Sequence, residues 1–228
     1  MAKQPAADHH ERGRVQVEVV DGVGLLTFDN ASQKNAIDAG MWDAMADGVA
    51  RFAKDEAVRV VILTGGGHLA FATDPAATAK GEGDADADQR RRVAEVCKAL
   101  SDYPRPVLAR IRGECVGLGL IVALAADIRV AARDSGFALP AVKLGAGYDA
   151  DAVAAVVRLV GPGNAARLLL TGNRIEADEA ARIGLISLLV DDIELSDTVT
   201  ELAAQIVANP DAAVVTTKRA LSAHYAAA

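Results

Sequence analysis

A chain of 228 residues, 51% of them hydrophobic, is long enough to bury a substantial core as one large or two small domains. Its formal net charge of −7 argues against nucleic acid as a partner, because phosphate binding needs a basic face. No apolar stretch reads as long enough to span a bilayer, and the N-terminal MAKQPAADHHERGR is polar where a signal peptide is apolar, so no membrane insertion and cytoplasmic residence are expected.

Residues 1–14 read as a disordered tail ahead of one domain over 15–228, with an α/β core over 15–150 and a helical part over 151–228. Alternating apolar runs at 15–20 and 24–28, joined across Asp21-Gly22, predict a β-hairpin. Met41, Trp42, Met45, Val49 and Phe52 recur at three- and four-residue intervals and predict a helix over 39–52. A strand over 58–64 runs into Gly65-Gly66-Gly67, and the alanine-, glycine- and acid-rich 76–88 reads as a mobile surface loop. A helix over 89–100, a strand over 106–111, a glycine turn with its helix and a strand over 127–131 follow. This alternation implies parallel pairing with right-handed crossovers. Beyond Ala150 the pattern is helical, at 151–160, 163–170, 177–183, 195–209 and 212–225.

The most informative segment is GECVGLGLIVALAADIR, residues 113–129. A glycine-spaced turn entering a helix leaves backbone N–H groups free to hold a developing negative charge. The helix offers no carboxylate until Asp127. Other chemistries lack support. His9, His10, His68 and His224 are scattered, and Cys97 and Cys115 have neither metal-ligand spacing nor the number for a disulfide framework, so no metal is expected. No GxSxG nucleophile elbow is present, and GLG in GVGLGL is an incomplete dinucleotide loop.

The succession DNASQKNAID, VRVVILTGGG, PRPVLARIRGECVGLGLIVALAADIRVAA, FALPAVKLGAG and LLLTGNRIEADEAARIGLISLLV resembles the crotonase, or enoyl-CoA hydratase/isomerase, superfamily over 15–221. The resemblance implies an α/β fold of the ClpP/crotonase type, with repeated ββα units and a helical C-terminal region. It also implies an acyl-CoA thioester as ligand, with coenzyme A as part of the substrate and no covalently bound cofactor, and assembly as a homo-trimer or hexamer. In that family two backbone N–H groups grip the thioester oxygen so that enolate charge can form.

Carried over residue by residue, the glycine turn matches at Gly117 and Gly119, and the N–H of Leu118 becomes one oxyanion donor. The second donor comes from the loop LAFATDPAA, where two registers are open. Matching Asp74 to the family aspartate puts the donor on Thr73, whereas matching Phe71 puts it on Pro75, which has no N–H. The Thr73 register keeps a working donor. The two hydratase glutamates fall on Ile121 and Ala141, neither of which moves a proton, so isomerase-type chemistry is expected over hydration. Asp149 falls where the dienoyl-CoA isomerase branch carries a catalytic aspartate, and it can equally cap a helix starting near Ala150. Tyr148 and Asp151 share that neighbourhood. Lys34, Asp74 and Gly117 are the expected CoA contacts, with Lys143, Lys218 and Arg219 further candidates for its phosphates. Arg90, Arg91 and Arg92 are expected to pair with Asp84, Asp86 and Asp88. Family members commonly run a few dozen residues past the segment TTKRALSAHY, so here the acyl pocket is expected to be more open or closed by a neighbouring subunit. A non-catalytic acyl-CoA-binding or structural homologue is the alternative.

Overall fold

The computed structural model describes residues 13–73 and 84–227. Strands β1 (Arg14–Val20) and β2 (Val23–Asp29) form the expected hairpin, with Val17 opposite Leu26. Asp21 and Gly22 both take positive φ, 48° and 82°, the geometry that matches a two-residue turn to the twist of its strands. Arg14 belongs to the strand, not to the tail, because its guanidinium donates to Asp29 at 2.7 Å across the pair. In α1 (Ala39–Lys54), Asp38 caps the helix by accepting from Met41 N at 2.9 Å, and Met41, Trp42, Met45, Val49 and Phe52 are buried. Each large side chain so buried contributes about 1.5–3 kcal/mol.

The main sheet has the order β1-β2-β3-β5-β7-β10, parallel from β2 onward, with β3 at Val60–Gly65, β5 at Val107–Ile111, β7 at Ile128–Ala132 and β10 at Leu188–Val190. Its central strands are apolar on both faces, as sheets covered on both sides require. Val61, Leu63, Val107, Ala109 and Ala131 join the core beneath α1, while Val60, Ile62, Leu108 and Val130 pack on Leu195, Val199 and Ala203 of α6 (Leu195–Ala208).

A smaller sheet, β4 (Ala70–Ala72), β6 (Glu114–Val116), β8 (Gly136–Ala138) and β9 (Ile175–Glu176), lies in that spatial order. The chain thus visits the large sheet, the small sheet and then a helix three times: β3-β4-α2 (Asp84–Ser101), β5-β6-α3 (Leu118–Leu124) and β7-β8-α4 (Ala150–Thr171). These are the repeated ββα units of the crotonase fold.

One boundary departs from the sequence reading. Helix α2 begins at Asp84, so 84–88 is helical where a loop was expected. Acidic residues favour a helix N-terminus, and Asp88 pairs with Arg91 at 2.6 Å and Arg92 at 2.7 Å, one turn on. The expected helices 151–160 and 163–170 are both present as the two halves of α4, which breaks between them at Gly161 (φ 73°, ψ 164°), with Pro162 opening the second half. By length and composition α4 is long and apolar enough to cross a membrane, which the two shorter halves were not. It buries Ala152, Val156, Val160, Ala165 and Leu168. Helices α5 (Ala177–Arg182) and α7 (Asp211–Ala227) complete the helical part.

Candidate active site

Gly117 precedes α3 with φ 60° and ψ −128°, a conformation open to glycine, and donates its own N–H to Ala138 O at 2.9 Å. The first α-helical bond of α3 runs from Ile121 N to Gly117 O at 3.1 Å, so the amides of Leu118, Gly119 and Leu120 have no helical acceptor. Gly119 is a packing requirement: a Cβ there would lie 2.3 Å from Ala72 O. The Ala72 carbonyl therefore rests against Gly119 in the first turn of α3. Thr73 is tied to Lys34, because its hydroxyl donates to Lys34 O at 3.1 Å. Asp74 and Pro75 lie outside the described residues.

Asn35 is the residue here that motif reading passed over. It is 1% exposed, with φ 54°, and its side-chain amide donates to Ala70 O at 2.7 Å and Gly66 O at 2.9 Å while accepting from Asn30 N at 3.1 Å. It thereby fastens the Lys34 turn to β4 just before Thr73. The available signal was the residue type, since asparagine is one of the few side chains that tolerate a left-handed backbone.

Asp149 and Ile121 line one cavity of ≈ 770 Å³, together with Val93, Cys97, Leu124 and Asp151. Asp149 is exposed and caps α4, its Oδ1 accepting from Ala152 N at 2.8 Å. Ala141 sits apart from that cavity, in the 3₁₀ turn Pro140–Leu144, and Tyr148 packs against the core. Cys97 donates its thiol to Ile121 O at 3.9 Å. Burial first, and the Asp149 carboxylate second, push the Cys97 thiol up to about 12. Near pH 8 that leaves roughly a thousandfold less thiolate than an ordinary cysteine. Native Cys97 is accordingly expected to resist a thiol-labelling reagent at pH 8. Asp149→Asn, which removes the charge that raises the thiol, is expected to speed labelling. An unchanged rate would place the carboxylate away from the sulfur.

Among the expected phosphate contacts, Lys34 is exposed at a left-handed position, free of the core. Lys218 is not a surface cation: it is 6% exposed, bonded to Asp127 at 2.8 Å and to Arg105 O at 2.9 Å. Lys143 donates to Asn173 Oδ1 at 2.8 Å, and Arg219 is exposed on α7. Arg91 pairs with Asp88 and Glu95, and Arg92 with Asp88 and Asp43; the side chains of Asp84 and Asp86 lie outside the described residues.

The enoyl-CoA hydratase/isomerase family profile matches residues 18–228. A carnitinyl-CoA dehydratase of Salmonella enteritidis is 36% identical over 194 residues, which are 85% of this chain and 74% of that protein. An enoyl-CoA hydratase structure from Bacillus anthracis superposes with a TM-score of 0.87 at 27% identity, covering 92% of this chain and 82% of that one. An enoyl-CoA hydratase/carnithine racemase structure from Magnetospirillum magneticum gives 0.86 at 28% identity, covering 91% and 79%. With the ββα repeats, the glycine turn and near-complete coverage in agreement, the chain belongs to the enoyl-CoA hydratase/isomerase family.

Proposed function

We propose that the chain binds an acyl-CoA thioester and moves a proton on its acyl group, shifting a carbon–carbon double bond in preference to adding water. The observation that carries this reading is the shared cavity. Its lining includes the carboxylates of Asp102, Asp149 and Asp151, of which Asp149 falls at the isomerase position, and the aliphatic Ile121 where the hydratase pattern has a glutamate. Hydration needs an acid and a base placed on the same substrate, each worth about a hundredfold or more. An isomerisation needs one group: Asp149 takes a proton from one carbon, the enolate charge rests on the thioester oxygen, and the protonated Asp149 returns the proton to another carbon.

The close approach of the Ala72–Thr73 peptide to the first turn of α3 supports the Thr73 and Leu118 amides as the oxyanion donors. A donor of this kind is typically worth about 10²–10³ in turnover. The exposed Lys34, whose carbonyl accepts from the Thr73 hydroxyl, supports a phosphate contact for CoA here, with Asp74 and Gly117 as the further contacts in this reading. The resemblance to a carnitinyl-CoA dehydratase supports the thioester as substrate class. Assembly as a homo-trimer or hexamer belongs to the same reading and is measured by sedimentation.

A second reading, a binding module without chemistry, is favoured by the engagement of Asp149 Oδ1 as a helix cap. The test is incubation with a β,γ-unsaturated acyl-CoA in D₂O. The expected result is a conjugated product with deuterium in its acyl chain and little hydrated product. Binding without bond shift or exchange establishes the second reading, and absence of binding overturns both.

A further inference from the structure

A second cavity of ≈ 680 Å³ lies among α4, α6, α7 and the start of β7 and adjoins the cavity that holds Asp149, the two sharing Ser101, Asp102, Ala125, Arg158 and Tyr225. Its walls include Ile128, Leu159, Ile206, Val214 and Leu221. Arg129 also lines it, although only 5% exposed. The Arg129 guanidinium donates from Nε to Leu185 O at 2.8 Å and from Nη1 to Ala126 O at 2.6 Å, both uncharged acceptors. Among the described residues no carboxylate forms an ion pair with it. The adjacent acid, Asp127, is committed elsewhere, to Lys218 Nζ at 2.8 Å and Val107 N at 2.7 Å.

Arg158 adds a second guanidinium to the same walls. It lies 5.0 Å from the centre of the Tyr225 ring and likewise has no ion pair among the described residues. Its charge helps to hold the basicity of Arg129 down, behind the larger effect of burial, so the two cations sense each other. The Asp127 carboxylate on the same wall offsets part of this, but Asp127 is shared with Lys218; a buried cation with only a shared counter-charge is costly, and the exposed Arg158 beside it adds repulsion. An anion bound between them relieves both. The planar fork of a guanidinium matches a carboxylate, and the apolar walls match a hydrocarbon tail. The dianionic head of a phosphate monoester would have to be desolvated against those same walls, which disfavours it.

We propose that this cavity binds an amphipathic monocarboxylate, with its carboxylate between Arg129 and Arg158 and its tail against Ile206, Val214 and Leu221. The site adjoins the Asp149 cavity but does not rest on the chemistry proposed there. The test is isothermal titration of the full chain with octanoate, with octan-1-ol as the uncharged analogue. Octanoate is expected to bind at one per chain and at least tenfold more tightly than the alcohol. Arg129→Gln removes a buried structural group and can fail to fold, so two other variants are read. Arg158→Gln is expected to weaken octanoate at least tenfold. Ala213→Trp, which fills the cavity from the exposed side of α7, is expected to abolish binding with an unchanged circular dichroism spectrum. The proposal is overturned by no octanoate binding, by equal binding of the alcohol, by insensitivity to both substitutions, or by displacement of octanoate on saturation with an acyl-CoA.

Discussion

Asp149→Asn is expected to lower turnover of an unsaturated acyl-CoA by about a hundredfold or more, while changing stability by less than about 1 kcal/mol. The asymmetry follows from the two positions that the carboxylate occupies at once. As the cap of α4 it accepts from Ala152 N at 2.8 Å, a task that an asparagine side-chain oxygen performs about as well. As a wall of the cavity shared with Ile121 it is the only group proposed to take a proton, and an amide cannot take one. Asp149→Ala separates the roles from the other side, because it loses the cap as well and costs about 1 kcal/mol more. Turnover measured with saturating substrate, beside chemical unfolding of the same preparations, reads both effects. If the asparagine variant keeps its turnover, the carboxylate is a cap and nothing more, and the chemistry lies elsewhere or is absent. The Cys97 labelling rate adds a readout that needs no substrate at all.

The elements that were legible in the sequence are those whose physics is local. The hairpin shows in Asp21-Gly22, where both residues adopt the positive φ that the turn requires, and α1 shows in an apolar stripe that starts at its Asp38 cap. The long parallel strands show as unbroken apolar runs because alternate residues enter two different cores. What was not legible depends on contacts distant in sequence. Strands β4, β6 and β8 have three residues each, too few to display a period of two, and exist because neighbouring backbones pack against them. The acid-rich start of α2 was read by composition as a loop. Asp88 is better understood as a helix residue that pairs with Arg91 and Arg92 one turn later.

The site divides along the same line. The glycine turn is a local device, and Gly117 and Gly119 carry it openly in the sequence. The role of Asn35 is not local: its acceptors, Gly66 O and Ala70 O, lie 31 and 35 residues away. Lys218 shows the converse error. Its charge is visible in TTKRAL and suggests a phosphate contact, but burial decides its role, and burial is a property of where α7 comes to rest.

That burial makes the second large effect a matter of stability. Asp127→Ala is expected to destabilise the fold by about 3 kcal/mol, the lower end of the range for removing one partner of a buried pair, because the Asp127 side chain is itself 33% exposed. The lost group is the counter-charge of an ammonium whose side chain is 7% exposed, and it also accepts from Val107 N at 2.7 Å, so one substitution strands two donors. Lys218→Met is expected to cost much less. It removes the charge together with its desolvation penalty, and it leaves Asp127 bonded to Val107 N and partly in water. The double variant should then recover the part of the Asp127→Ala loss that belongs to the stranded ammonium, leaving the part from Val107 N, a coupling that separates an ion-pair effect from a simple packing defect. Urea unfolding with an unchanged slope measures all three variants. A single-variant cost below about 1 kcal/mol would mean that the pair behaves as a surface ion pair. The consequence reaches function through α7, which Lys218 fastens to Arg105 O at the entrance of β5. Leu221 and Tyr225 on that helix line the cavity that holds Arg129, and Tyr225 with His224 lines the Asp149 cavity, so loosening the Lys218 tie is expected to open both together.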